Sequence, residues 1–175
     1  MSFRLRFGAS DVRILTDERV FHGYFEVHKL TLQHRCFSGD WSAPLSREIF
    51  ERGDAVGVLP YDPLTDSLIL IEQFRAGSLR DERSPWMLEL IAGLVEPGES
   101  DDAVVRREAQ EEAGCELSEL VPIAAYYPSA GACSEHVRLF CGHVQSAAVG
   151  EVLGLANEGE DILVHRISRS EVMDM

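Results

Sequence analysis

The sequence lacks the features that define several large classes of protein. It has no apolar run of membrane-spanning length, and its start, MSFRLRFGASDVRIL, has no continuous apolar core of the kind found in signal peptides. None of its four cysteines forms a CxxC pair, so we expect reduced thiols and a cytoplasmic location. No GxGxxG or Walker A pattern occurs, which leaves the Rossmann and P-loop classes without support.

Positive charge is also scarce. The chain has 16 Lys and Arg residues against 30 Asp and Glu residues, a formal net charge of −14. Non-specific binding to nucleic acids requires cations that neutralise phosphates, so we expect neither a nucleic acid nor a membrane as partner. An acidic protein can concentrate cations at a site, although the same charge also fits a plain solvated surface.

The length and apolar pattern predict a protein of mixed α and β structure. The 175 residues, 45% of them apolar, suit one sizeable domain, or a compact domain with a small N-terminal subdomain. The segment YFEVHKLTL (24–32) alternates with a period near two, which indicates an antiparallel strand. The apolar runs at 55–59 and 67–74 flank the loop signal PYDPLTDS and predict two adjacent strands. We interpret WMLELIAGLV (86–95) as one short strand ending near Ala92-Gly93.

The strongest helix signal covers residues 101–113. Ser100 can cap the N-terminus, the first turn carries two aspartates, and Gly114 provides a stop. Strand-like runs follow at 121–128 and 136–144, and the tail predicts a strand and then a helix. The predicted fold class is therefore α/β, in the α+β sense, with a mixed β-sheet.

Three glutamates of this helix, Glu108, Glu111 and Glu112, stand at i, i+3 and i+4 and share one face. Like charges at this spacing repel, so an isolated helix would lose stability. Arg107 can neutralise part of the charge, and a bound Mg²⁺ would offset the rest because carboxylates are ligands that Mg²⁺ prefers. A solvated acidic face is the alternative interpretation.

The stretch GLVEPGESDDAVVRREAQEEAGC resembles the Nudix box, G-x5-E-x7-R-E-U-x-E-E-x-G-U. The two apolar positions of the box hold Ala109 and Cys115. Every charged and glycine position matches: Gly93, Glu99, Arg107, Glu108, Glu111, Glu112 and Gly114. The resemblance implies a Nudix fold, in which a mixed sheet lies between helices and the box forms loop–helix–loop.

The resemblance also implies the roles of the box residues. Glu108 and Glu112 would be the main metal ligands, with the carbonyl of Ala92 as a backbone ligand and Mg²⁺, or alternatively Mn²⁺, as the metal. Glu111 would bind a further metal or a water, and we place it among the catalytic residues. Gly93, Glu99, Arg107 and Gly114 would hold the loop and helix in shape.

Outside the box, the chain resembles the bacterial ADP-ribose pyrophosphatases of that family. The matching segments are REIFERG (47–53), LIEQFR (70–75), PWMLELIAG (85–93) and LANEGEDI (155–162). This likeness implies Mg²⁺-dependent hydrolysis of ADP-ribose to AMP and ribose 5-phosphate. It also implies a homodimer in which an N-terminal β subdomain, residues 1–52, exchanges between subunits, while residues 53–175 form the hydrolase domain.

The same resemblance assigns residues to the substrate. Arg47 and Arg75 would contact ADP-ribose, and Tyr24 or Phe25 would stack on adenine, although ordinary strand packing explains the aromatics equally well. Glu135 fits the substrate pattern of the group. At position 130 the group usually has proline and this chain has alanine, which weakens the assignment of the substrate.

The loop 155–162 supplies the remaining carboxylates. Attack by water on a pyrophosphate needs a carboxylate that orients or deprotonates the water. By resemblance, Glu158 would be that base and Glu160 a metal contact, while a solvated acidic loop is the alternative. Two other functions stay open: hydrolysis of another nucleoside diphosphate sugar or a dinucleotide, and a non-catalytic module that senses ADP-ribose.

Overall fold

The computed structural model describes residues 4–175, so the first three residues of the predicted subdomain 1–52 lie outside the described chain. The described residues divide into two compact units. The first contains the chain up to Gly53 together with Tyr127–Glu135, and the second contains Asp54–Tyr126 and His136–Met175. The sequence did not indicate that residues 127–135 belong with the N-terminal strands.

The first unit is a three-stranded antiparallel sheet. Its strands, in spatial order, are β1 (Val12–His22), β2 (Glu26–His34) and β3 (Leu45–Glu51). The period-two segment that predicted a strand lies mostly in β2. Residues 127–135 join the sheet because the Phe50 N–H donates to the carbonyl of Ala132 at 2.7 Å and Phe50 bridges to Cys133.

The second unit is built on an eight-stranded mixed sheet. Its strands are β4 (Ala55–Asp62), β5 (Ser67–Phe74), β6 (Trp86–Glu89), β7 (Ile91–Leu94), β8 (Glu116–Tyr126), β9 (Val137–Ser146), β10 (Val152–Leu153) and β11 (Ile162–Ser168). The main path is β10-β11-β5-β4-β9-β8, while β6 pairs with β5 and β7 pairs with β4. The β4–β9 pair is parallel and the other pairs are antiparallel. The α+β class is confirmed.

Helix α1 (Asp101–Ala113) has the predicted bounds. The Ser100 hydroxyl accepts the Ala103 N–H at 3.3 Å, and Gly114 ends the helix in the left-handed conformation at φ 54°. The tail forms α2 (Arg169–Asp174), which is also capped by a serine. Across residues 4–175, no helix combines the length and apolarity needed to cross a membrane.

The segment WMLELIAGLV forms two strands, so the single predicted strand was wrong. Strand β6 pairs with β5, where Glu89 lies opposite Ile71, and β7 pairs with β4, where Ile91 lies opposite Val58. The two halves hydrogen-bond to different neighbours, so the backbone changes direction at Leu90. This break places Glu89 beside β5 and Ala92-Gly93 beside β4.

The core lies between the central strands and one face of α1. Strands β4 and β5 are buried along almost their whole length, which explains their continuous apolar runs. The helix contributes Val104, Val105, Ala109 and Ala113. Arg138 of β9 secures the start of the helix, because its guanidinium donates to Asp101 at 2.7 and 2.9 Å and to Asp54 at 2.9 Å. The helix is thus fixed against the sheet at its N-terminus and along its apolar face.

We expect Gly114→Ala to destabilise the second unit by about 1–2 kcal/mol. The left-handed φ of Gly114 disfavours an L side chain, and an added Cβ would lie 2.9 Å from the Cβ of Ala148. Urea unfolding should show the loss. Gly77→Ala is the matched control, since Gly77 has open space around it and no positive φ; equal losses in both variants would contradict the argument.

Candidate active site

Helix α1 brings the box glutamates against the strand that precedes the box. A Cβ added to Gly93 would overlap the carboxylate of Glu108, so only glycine allows this side chain to lie against the backbone of β7. One turn later, Oε2 of Glu112 accepts the backbone N–H of Ala92 at 3.2 Å. The two predicted side-chain ligands and the predicted backbone ligand therefore lie at one place.

Glu112 is a carboxylate in an apolar position. It is 3% exposed and lies on the same helix face as Val105 and Ala109. Burial raises the pKa of Glu112 to about 8, and the negative charges of Glu108 and Glu160 contribute to the rise. The Ala92 N–H and Arg75 oppose the shift without cancelling it. A buried acidic group whose negative charge has so few favourable partners indicates a functional site rather than a structural one.

Arg107 compensates the outer part of the cluster. Its guanidinium donates to Glu108 at 2.8 Å and to Glu111 at 3.3 Å, and it pairs with Glu99 at 3.6 Å. Glu99 also accepts the Glu96 N–H at 3.0 Å, which closes the loop before the helix. Burial raises the pKa of Glu108, with Arg107 opposing it. Glu111, predicted to be catalytic, is thus a partner of Arg107 in this structure.

These residues suit a divalent cation. Glu108 and Glu112 offer hard oxygen ligands whose burial favours neutralisation by a cation, and Gly93 leaves room for the carboxylate of Glu108. Within residues 4–175, no three His, Cys, Asp or Glu side chains converge closely enough to hold a metal. In this conformation, the remaining ligands would therefore come from the backbone, water or a phosphate, as is usual for Mg²⁺.

The loop that carries Glu158 and Glu160 is held by its own hydrogen bonds. Oε2 of Glu160 accepts the Leu155 N–H at 2.8 Å, so the predicted metal contact already has a partner. Gly154 has φ 107°, and a Cβ there would lie 2.6 Å from the Cβ of Glu160. Glu158 ends a short 3-10 helix (Ala156–Glu158) and is exposed. The roles of both glutamates stay predictions.

Arg75, a predicted substrate residue, has a carboxylate partner that the sequence did not reveal. Glu89 accepts from Nε of Arg75 at 3.0 and 3.1 Å and from Nη2 at 2.9 Å. This ion pair raises the pKa of Arg75, with the charges of Glu112 and Glu160 adding to the effect. Glu89 lies in the segment that was interpreted as one strand, so its position beside β5 was not foreseen.

The other predicted substrate residues belong to the first unit. Tyr24 is 86% exposed and lies edge-on to Phe25 at 4.7 Å, whereas Phe25 packs against Phe50 at 5.0 Å. Of the two, Tyr24 is therefore the free aromatic surface. Arg47 is exposed and donates to the carbonyl of its neighbour Ser46 at 2.7 Å.

Glu135 is only 9% exposed and pairs with Arg52, whose Nε lies 3.4 Å from Oε1. The Nε of Arg52 is buried and has no hydrogen-bond partner among the described residues. Sequence reasoning missed Arg52, although it lies within the segment REIFERG. Nothing in the structure explains alanine at position 130.

Comparisons with known proteins identify the family of the chain and several relatives. The NUDIX domain model matches residues 51–169. An ADP-ribose pyrophosphatase of Escherichia coli (strain K12) is 41% identical over 165 residues, 94% of this chain and 79% of that protein. The ADP-ribose pyrophosphatase of Haemophilus influenzae is 40% identical over 174 residues, 98% of this chain and 80% of that protein.

A solved structure described as an ADP compounds hydrolase has a similar fold. It superposes with a TM-score of 0.69 at 23% identity, covering 99% of this chain and 84% of that one. At this identity the likeness supports the fold alone. With the family model and the two relatives, it leads to a plain conclusion: the chain belongs to the Nudix domain family. It is an enzyme of the hydrolase class within that family.

We expect Glu112→Gln to stabilise the metal-free protein at pH 8.5 by about 3 kcal/mol and to have little effect at pH 5. The unfolded carboxyl ionises near 4.5, whereas the folded one keeps its proton up to about 8. Stability therefore falls as pH rises through this window, and glutamine removes that loss. Urea unfolding in EDTA measures it, with Glu116→Gln as control. A stability difference that is constant with pH would contradict the prediction.

Proposed function

We propose that this protein hydrolyses the pyrophosphate bond of ADP-ribose to AMP and ribose 5-phosphate, with Mg²⁺ as its metal. The observation that carries the proposal is the Glu108–Glu112 pair against Ala92-Gly93, because it places two incompletely neutralised carboxylates at one backbone position. The identity to the two ADP-ribose pyrophosphatases supports the choice of substrate.

In this proposal the carboxylates of Glu108 and Glu112 and the carbonyl of Ala92 would hold the metal, and Glu160 would join them after giving up its hydrogen bond to the Leu155 N–H. Mn²⁺ would fit the same oxygen ligands. A bound divalent cation polarises a phosphoryl oxygen and lowers the pKa of water. The low exposure of Glu112 supports such chemistry, because electrostatic interactions are stronger where water is excluded.

The chain's own residues bind and orient the substrate. Arg75 and Arg47 donate to anionic oxygens, since guanidinium presents several planar donors. Tyr24 stacks on the adenine ring and Glu135 accepts from a polar group of the substrate. Glu158 takes a proton from the attacking water. Glu111 helps to orient that water, while Arg107 holds the side chain of Glu111 in place.

The assembly and location are part of the same proposal. We propose a homodimer that exchanges the N-terminal β subdomain, residues 1–52, beside the hydrolase domain, residues 53–175. All residues of β1 are exposed, and they include Ile14 and Phe21 at 61% and 57%, so this strand offers apolar surface to a second copy. We place the protein in the cytoplasm, where its free cysteines would stay reduced.

The proposal predicts turnover of ADP-ribose in the presence of Mg²⁺. We would incubate the protein with ADP-ribose, other nucleoside diphosphate sugars and dinucleotides, and separate the products by chromatography. The highest kcat/KM should belong to ADP-ribose, and Glu112→Gln should lower it by at least ~100-fold because one metal ligand loses its charge.

Each other result has a definite meaning. Preference for another nucleotide sugar or a dinucleotide would show that the substrate is different while the type of reaction, pyrophosphate hydrolysis, is the same. Binding of ADP-ribose without turnover under Mg²⁺ or Mn²⁺ would favour a sensing module. Full activity of the Glu112→Gln variant would show that Glu112 is not a metal ligand.

The assignment of the base gives a separate prediction. Glu158→Gln should lower kcat by ~100- to 10,000-fold with KM little changed, since general base catalysis acts in the transition state. Asn157→Asp, on the same exposed turn, is the control and should keep most of the activity. A wild-type kcat in Glu158→Gln would show that another group activates the water.

A further inference from the structure

The Arg75 guanidinium donates hydrogen bonds to another side chain from one edge, whereas a nitrogen on the other edge has donors that can bind a ligand. Nε and Nη2 both donate to the carboxylate of Glu89, at 2.9 to 3.1 Å. Within residues 4–175, Nη1 of Arg75 makes no hydrogen bond to a protein group. A planar guanidinium gripped on one edge has a defined orientation, so the direction of its free donors is defined as well.

Glu89 is itself held by the sheet. It ends β6, where it lies opposite Ile71 of β5, and its side chain is 22% exposed. Gln73, 6% exposed, donates its side-chain amide to Oε2 of Glu89 at 3.3 Å. Arg75, in contrast, follows the end of β5 and is exposed. The rigid member of the pair is therefore Glu89, and the member that needs holding is Arg75.

The surroundings of Arg75 make such a hold useful. The acidic groups Glu112 and Glu160 attract its positive charge in addition to Glu89. Released from Glu89, a long and mobile guanidinium would move towards those carboxylates and compete with a cation for them. The hydrogen bonds to Glu89 restrain this movement while keeping the positive charge near the site.

We propose that Glu89 is a positioning residue for substrate binding: it grips the Nε–Nη2 edge of Arg75 and leaves Nη1 to donate to an anionic oxygen of the substrate's diphosphate. This inference rests on the proposed function, in which Arg75 binds the substrate. Glu89 touches neither substrate nor metal, and it acts through Arg75. Gln73 supports it from β5.

The test is a double-mutant cycle on ADP-ribose hydrolysis. Glu89→Gln should raise KM by ~5- to 20-fold with kcat within ~3-fold, because glutamine cannot make a charged two-donor contact. Glu89→Asp keeps the charge and should recover part of the affinity. The double variant Arg75→Met/Glu89→Gln should have the same KM as Arg75→Met alone, since Glu89 has no role once the guanidinium is absent.

The matched control is Asp66→Asn. It breaks the pair in which Arg169 donates Nε and Nη2 to Asp66 at 2.8 and 2.9 Å, a similar geometry at the start of α2. Its KM should stay at the wild-type value. Thermal unfolding of all variants distinguishes a positioning role from a structural one. A purely structural role of Glu89 would lower Tm without the selective rise in KM.

The outcomes distinguish this inference from the proposed function. An unchanged KM in Glu89→Gln, or a further rise in the double variant, would overturn the positioning role even if Arg75→Met impairs binding. An unchanged KM in Arg75→Met would remove Arg75 from the substrate site and this inference with it. If wild type does not turn over ADP-ribose, the variants are compared by their Kd instead of their KM. Calorimetric titration with ADP-ribose and with inorganic pyrophosphate measures this Kd. The same pattern among variants would then support the inference, and equal affinities or no binding would reject it.

Discussion

The main constraint on the second unit is a buried carboxyl group on the inner face of α1, because Glu112 is 3% exposed and its pKa is raised to about 8. A helix that packs against a sheet normally presents only apolar side chains to it, and α1 does so with Val105, Ala109 and Ala113. Glu112 interrupts this face, and among residues 4–175 its one hydrogen bond comes from the Ala92 N–H. Gly93 leaves space for Glu108, the break between β6 and β7 places Ala92 beside β4, and Arg107 and Arg75 supply positive charge near the glutamates.

The two arginines divide the compensation between them. Arg107 neutralises the solvent side, where it donates to Glu108 and Glu111. Arg75, which follows β5, is held by Glu89 and acts on Glu112 and Glu160 only through its charge. Within residues 4–175, neither arginine pairs with Glu112, and the charge of Arg75 opposes the raised pKa of Glu112 without cancelling it. A buried acidic group with so little compensation costs local stability, which is common at sites that bind a charged ligand.

The sequence predicted the box with high accuracy because its signals are local. The cap at Ser100, the stop at Gly114 and the spacing of the glutamates depend only on neighbours within one or two turns. The contacts of Arg75 could not be predicted in this way, because Glu89 and Gln73 meet through strand pairing whose register no local pattern reveals. The same limit applies to Arg52 and Glu135, which are far apart in sequence and meet only once residues 127–135 join the N-terminal strands. The interpretation of residues 86–95 failed because pairing with two different partners leaves no trace in hydrophobic periodicity.

The parallel pairing of β4 with β9 has a consequence for the order of folding. These strands are separated by more than 70 residues of chain, and Arg138 of β9 links Asp54 to the first turn of α1. The helix can nucleate early from its own caps, but closing such a long loop is slow and entropically costly. The glutamates would then share one face long before the helix is anchored to the sheet. We expect the anchored arrangement of these glutamates to form late in folding, and nascent chains that lack β9 to carry the box without it.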